Sequence, residues 1–209
     1  MARRVKRAAG MPPTASATLG PFYPAQLTVP GMNDLTRRRP DAPAAHGQLT
    51  LLGGRVLQED RRGIPNLLVE IWQADANGRF DHPADRRNTP VDRNFAFWGR
   101  AVTDAEGRYA FRTIKPGPAP VGSNGALGAP YIAITLLGSG LMRRLVTRLY
   151  FPDEARNLED PLLRQIADPA ARARLIARRD PEAGTPPEAL NLIFDIVLRG
   201  ADETPFLAD

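Results

Sequence analysis

Residues 48–78 read QLTLLGGRVLQEDRRGIPNLLVEIWQADANG, and this stretch decides the fold class. Gln48–Leu57 has the apolar content of a strand and runs into a charged turn at Glu59–Gly63. Asn66–Gln73 is β-branched and aromatic enough for a second strand, and the Asn77-Gly78 dipeptide closes it. Outward from here the pattern repeats. Gly99–Thr103 and Arg108–Ile114 flank Asp-Ala-Glu-Gly as a hairpin, and Tyr131–Leu137 and Leu145–Phe151 surround a Gly-Ser-Gly break. Near the end Leu190, Leu192, Phe194, Ile196 and Leu198 fall on one face of a strand, opposite Asn191, Asp195 and Arg199. Only one region reads helical. Asp168-Pro169 offers an N-cap with proline at the first helical position, AARARLIARR continues it, and Asp160-Pro161 starts a shorter turn before it. The expectation is a mainly β domain with a short helical insertion near residues 160–179.

Composition agrees with that reading. The chain has 209 residues, of which 43% are hydrophobic and 24% charged, as in an ordinary globular domain. Its 21 prolines and 18 glycines break long helices and favour short strands joined by turns. Residues 1–13 read as a disordered basic arm, 14–47 as an extended N-terminal arm, and 48–209 as one β-sandwich domain. The absence of cysteine excludes disulfides, thiolate zinc sites, Fe–S clusters and a cysteine nucleophile, and fits a reducing compartment. The net charge of +5 is almost all in Arg3, Arg4, Lys6 and Arg7; further on, arginines are interspersed with acids. A nucleic-acid face needs clustered bases within the folded part, so no nucleic-acid partner is expected. No apolar run follows the basic arm, and Ala129–Met142 is broken by Thr135, Gly138, Ser139 and Gly140. It is also shorter than the roughly 20 residues of a membrane helix, so the expectation is a soluble, cytoplasmic protein without a membrane partner.

An inventory of reactive side chains finds no complete site. His46 and His82 are far apart, beside turn residues, and form no ligand spacing. Gly138-Ser139-Gly140 lacks the frame of a serine nucleophile, and no phosphate-binding glycine loop occurs. Asp153/Glu154 and Glu159/Asp160 sit in polar stretches where solvation is the expected role, and Trp72 and Trp98 are expected in the core. By these residues alone an autonomous enzyme is not supported, and a non-catalytic β-sandwich module that displays loops to a partner or small ligand is one reading.

Several segments together carry a resemblance. Gln48–Gly78, Asp92–Gly99 (DRNFAFWG), Thr103–Gly117 (TDAEGRYAFRTIKPG) and Val146–Phe151 (VTRLYF) occur in the order found in intradiol ring-cleavage dioxygenases. Thr14–Pro24 (TASATLGPFYP) resembles the arm that opens those proteins. The resemblance implies a β-sandwich of the intradiol dioxygenase type. It also implies O2-dependent opening of a catechol, protocatechuate foremost, between its two hydroxyls at a non-haem Fe(III) held by two tyrosinates and two histidines. At the four ligand positions this chain carries Arg87, Ala119, Tyr131 and Ala133. The arginine that precedes the histidine motif is Gly128, and the glutamine on the next strand is Arg148.

A lone tyrosine oxygen cannot hold a mononuclear iron, so no metal ligand and no catalytic residue is expected here. The pattern resembles the non-ligating (alpha) chains of two-chain members. It implies a beta chain of the same dioxygenase as partner, with Fe(III) bound by that chain, and a catechol and O2 as small molecules. Thr18, Gly20 and Pro21 of the arm are then expected to line the partner's substrate cleft. Ser139 stands where the resemblance expects a substrate-facing arginine, offering one hydroxyl in place of a bidentate cation. Arg143 and Arg144 are near in sequence, and on a strand they would point to opposite faces. A subunit for a different catechol is the alternative within the family.

Overall fold

Two β-sheets form because alternate residues of the strands are apolar, and each sheet then has a face to remove from water. The computed structural model describes residues 28–121, 126–181 and 188–207. In the first sheet β1 (Leu49–Leu57) pairs antiparallel with β4 (Arg108–Ile114). Its other edge runs parallel to β10 (Leu190–Ile193) and β11 (Ile196–Val197), and β9 (Arg178–Arg179) flanks β10. The second sheet is antiparallel throughout, in the order β3 (Trp98–Val102), β2 (Leu68–Gln73), β7 (Tyr131–Leu137), β8 (Leu145–Tyr150). A two-residue ladder joins β5 (Pro120–Val121) to β6 (Ala126–Leu127).

The core lies between the sheets. Leu52, Val56, Phe111, Leu192 and Ile196 meet Val69, Ile71, Ile132, Ile134, Leu136 and Leu149, with Phe95 and Phe97 in edge-to-face contact in the same cluster. Burial of each such side chain is worth roughly 1.5–3 kcal/mol. The segment before β1 adds no named strand but ties the sheets together. Leu35 N–H donates to the Arg112 carbonyl of β4 at 2.7 Å, and Arg100 N–H of β3 donates to the Met32 carbonyl at 3.0 Å.

The short helical insertion near residues 160–179 is present, and two finer expectations, the continued helix and the unbroken last strand, are corrected. The helical insertion is two single-turn helices, α1 (Pro161–Gln165) and α2 (Pro169–Ala173), each with an aspartate cap followed by proline. The run AARARLIARR does not continue as helix because sheet edges claim its backbone. Tyr150 N–H donates to the Leu175 carbonyl and Ala177 N–H to the Tyr150 carbonyl, and Arg178–Arg179 pair with β10. The last strand is interrupted at Phe194-Asp195, where the Asp195 carboxylate accepts from Arg55 N–H at 3.0 Å and Tyr109 OH donates to the Phe194 carbonyl at 2.5 Å. Register is nevertheless kept, with Thr50 opposite Leu190 and Val56 opposite Ile196.

The tryptophans are not core residues. Trp72 is 39% and Trp98 47% exposed, and the two face each other across the β2–β3 pair. In a strand where Val69 and Ile71 point inward, period-two alternation sends Trp72 outward. Among the described residues no helix is long and apolar enough to cross a membrane.

Candidate functional site

The turn after β2 is built by two aspartates. Asp75 is fully buried, and its carboxylate accepts from the amides of Asn77 and Arg79 at 2.9 Å each and of Asp92 at 3.0 Å. Its carbonyl accepts from Gly78 and Gly117, which locks the turn to the segment before β5. Gly78 sits at φ +73°, a left-handed conformation that a residue without Cβ adopts freely.

Asp85 anchors the chain that follows. It accepts from Phe80 N–H at 3.0 Å and from Arg87 Nε at 2.9 Å and Nη2 at 2.6 Å, and it also pairs with Arg79. Arg87 Nη2 reaches the Gly78 carbonyl at 2.7 Å as well. The Arg87 hydrogen bonds hold the Asp85 carboxyl well below the usual carboxylate range, and Asp85 in turn raises the Arg87 guanidinium.

A second cluster lies across β7 and β8. Tyr131 is opposite Tyr150, with ring centroids 6.2 Å apart, and the Arg148 guanidinium lies 4.0 Å from the Tyr131 ring centroid. Tyr150 OH donates to Asp160 at 3.0 Å. Burial first, with the Asp160 charge adding to it, pushes the Tyr150 hydroxyl above its ordinary value. Asp160, 1% exposed, also accepts from Ala129, Leu162 and Leu163 amides, capping α1 and fixing the start of β7. A Cβ at position 128 would come within 2.8 Å of its carboxylate and 2.7 Å of Val121, so the corner accepts only glycine there without moving.

The Asp85 segment borders a cleft of about 510 Å³ lined by Trp72, Phe80, His82, Ala84, Asp85, Arg86, Arg87 and Pro120. Phe80 stacks on Trp72 at 4.5 Å and also packs against the Tyr131–Tyr150 cluster, as does Ala133. A larger groove of about 880 Å³ runs past Arg55, Arg100, Arg108 and Arg178. Each of those arginines already has a partner: the Glu106 carbonyl, Glu70, Asp104 with Glu106, and Asp195.

The family profile described as "Dioxygenase" matches residues 19–200. The protocatechuate 3,4-dioxygenase alpha chain of Pseudomonas putida is 34% identical over 209 residues, covering 94% of this chain and 96% of the relative. The protocatechuate 3,4-dioxygenase beta chain of Burkholderia cepacia is 42% identical over 186 residues, covering 88% and 79%. The chain belongs to the intradiol dioxygenase family. Solved intradiol relatives agree in fold. The 3-chlorocatechol 1,2-dioxygenase of Rhodococcus opacus 1CP superposes with a TM-score of 0.61 at 20% identity, covering 88% of this chain and 72% of that one. The dioxygenase domain of a carbohydrate-binding fusion from Streptomyces sp. SirexAA-E gives 0.57 at 27% identity, covering 90% and 98%.

The intradiol resemblance names four iron positions, and the fold gathers them around this corner. Arg87 lines the cleft beside Pro120, whose neighbour Ala119 is buried, while Ala133 is paired with Trp72 and Tyr131 lies two residues before it. The residues present do not fit the iron that intradiol chemistry implies. An arginine and two alanines offer no lone pair to a metal, and the single phenol lies under Arg148. Among the described residues no three His, Cys, Asp or Glu side chains converge as a metal site.

Thr18, Gly20 and Pro21 lie outside the described residues. Ser139 is exposed in the turn after β7, at the opposite end of that strand from Tyr131, so this chain does not bring it to the cleft. Arg143 and Arg144 are exposed in the bend before β8 rather than on a strand, so the opposite-face expectation does not apply to them. His46 and His82 are exposed. The acid pairs are not merely solvated. Asp160 is a buried cap, and Lys115 Nζ bonds Asp153 at 3.0 Å and also Glu154. Asp75, Asp85 and Asp160 were not legible as site builders in the sequence; the only local signals are the DANG turn and the Asp-Pro cap.

Proposed function

We propose that this chain is the alpha-type, non-iron-ligating subunit of a protocatechuate 3,4-dioxygenase, assembled with a beta chain of the same enzyme in the cytoplasm. The Fe(III) belongs to the beta chain, where protocatechuate and O2 react to give 3-carboxy-cis,cis-muconate. The observation that carries this reading is Arg87. A guanidinium bound bidentately to Asp85 occupies a position where the family resemblance implies a tyrosinate. The greater identity to a beta chain does not favour a beta role, because iron binding depends on four donors and not on the overall count of identical residues. The near full-length match to an alpha chain supports the assignment.

In this reading the chain completes its partner's substrate cleft with Thr18, Gly20 and Pro21 of the arm and with Ser139. The exposure of the Ser139 turn supports this, since a contact across chains needs a side chain that its own chain leaves free. The test is co-expression with a family member that keeps both tyrosines and both histidines, followed by size exclusion and O2 uptake with protocatechuate and catechol. Co-elution and uptake only in the complex are expected. A monomer that ignores the second chain, or a catechol preference unaffected by this chain, would favour the binding-module reading or a different catechol.

A further inference from the structure

Two glycines stand side by side in the middle of β1, and the packing of the chain explains one of them. A Cβ on Gly54 would collide with the Phe194 carbonyl, so that position admits only glycine. A Cβ on Gly53 would meet nothing nearer than the Tyr109 carbonyl at 4.0 Å among the described residues, and Gly53 has no positive φ. Glycine weakens a strand interior, and one without a local reason marks a place where another backbone comes close. Leu52 is buried in the core, so alternation turns Gly53 to the outer face of the first sheet, where it lines the groove of about 880 Å³. Register sets Ala110, Gly53 and Ile193 in one row across β4, β1 and β10. The row on one side of this notch holds Arg108 and Arg55, with Asp195 accepting from Arg55 N–H, and the row on the other holds Arg112, Leu51 and Asn191.

We propose that this face packs on the same face of a second copy of the chain, about a two-fold axis running along β1. Such an axis keeps the rows and reverses the order of the strands, so the β4 flank of one copy lies over the β10 flank of the other. Ile193 then fills the space above Ala110, and Gly53 faces Gly53, which lets the two sheets approach closer than their usual ~10 Å. Arg108 comes over the second copy's Asp195, and Leu51 over Leu51. The face suits a copy of itself because it carries both signs of charge. Arg108 pairs with Asp104 and Glu106 on one flank and Arg178 with Asp195 on the other, all at the surface, so these ions exchange partners at little cost. A partner of one sign would leave half of them unmatched. The nine residues of β1 at ~3.3 Å each, with strands ~4.8 Å apart on either side, give a face of roughly 500 Å². The arginine side chains bring it toward the roughly 800 Å² per partner of a standard interface. The face belongs to the first sheet and the Tyr131–Arg148 cluster to the second, so the dimer does not rest on the subunit assignment above.

The test is sedimentation equilibrium of the purified full-length chain. A single monomer–dimer equilibrium is expected, with Kd on the order of 1–50 μM and loading up to about 200 μM to cover it. Gly53→Glu sets two carboxylates against each other on the axis and should weaken the dimer at least about 20-fold. Its circular dichroism spectrum should be kept, because a side chain at 53 enters open space among the described residues. Arg108→Glu places a carboxylate over Asp195 and should weaken the dimer about 5–10-fold, which carries the test if Gly53→Glu fails to fold. Arg93→Gln, an exposed arginine away from this face, should leave the equilibrium unchanged. A monomer throughout would leave the groove to residues 1–27 of the same chain or to an unlike protein, and would overturn the proposal. So would growth past the dimer, or association that Gly53→Glu and Arg108→Glu leave unchanged.

Discussion

Replacing Asp160 with alanine tests how the β7–β8 corner is held. The carboxylate is 1% exposed and accepts four hydrogen bonds, from Tyr150 OH, Ala129 N–H and Leu162 N–H at 3.0 Å and Leu163 N–H at 3.2 Å. Loss of the α1 cap costs about 1 kcal/mol. The Tyr150 hydroxyl and the Ala129 amide are then buried without acceptors, at about 1–3 kcal/mol each. The total is about 3–7 kcal/mol, a large fraction of the 5–15 kcal/mol typical of a domain. In urea, followed by circular dichroism, this corresponds to a midpoint lowered by about 1.5–3.5 M for a slope near 2 kcal/mol per M. A double-mutant cycle isolates the mechanism. Tyr150→Phe in the Asp160→Ala background removes the stranded hydroxyl and should recover about 1 kcal/mol, whereas in the wild-type background it should destabilise. Additive losses in the cycle would refute the hydrogen-bond argument and leave only a packing role for Asp160.

The other predictions concern the site and its charges. Purified alone, the chain should be colourless and free of stoichiometric iron, because Arg87, Ala119 and Ala133 supply no donor; a visible charge-transfer band in the isolated chain would contradict this. In the assembled enzyme Gly20→Val should raise KM or lower kcat with iron content intact. Ser139→Arg should favour carboxylated catechols over catechol by up to about 1.5–3 kcal/mol, read from kcat/KM ratios, and unchanged kinetics in both would confine the chain to a structural role. Because Asp85 is held below its unfolded value near 3.8, its contribution is full above about pH 4 and is lost as pH falls further. Asp85→Asn should flatten that acid limb relative to wild type and cost about 2 kcal/mol at pH 7. This is discounted from the 3–5 of a fully buried pair because Arg87 keeps some contact with water.

Strand existence was legible because a β-strand has a period of two and its apolar residues show it directly. Arg108–Ile114 and Tyr131–Leu137 match the observed β4 and β7 to the residue. The Asp168-Pro169 cap was legible for the same local reason, since a cap acts within three residues. What only the tertiary structure decided are the pairings between distant residues. A strand pattern does not say which face meets the other sheet, so the exposure of Trp72 and Trp98 followed from packing. Helix length in AARARLIARR was set by Tyr150, which draws the backbone of Leu175 and Ala177 into bridges stronger than local propensity. Asp75, Asp85 and Asp160 look like solvated acids in one dimension. They become the pins of the corner because folding removes their water and leaves amides, guanidiniums and a hydroxyl as their only partners.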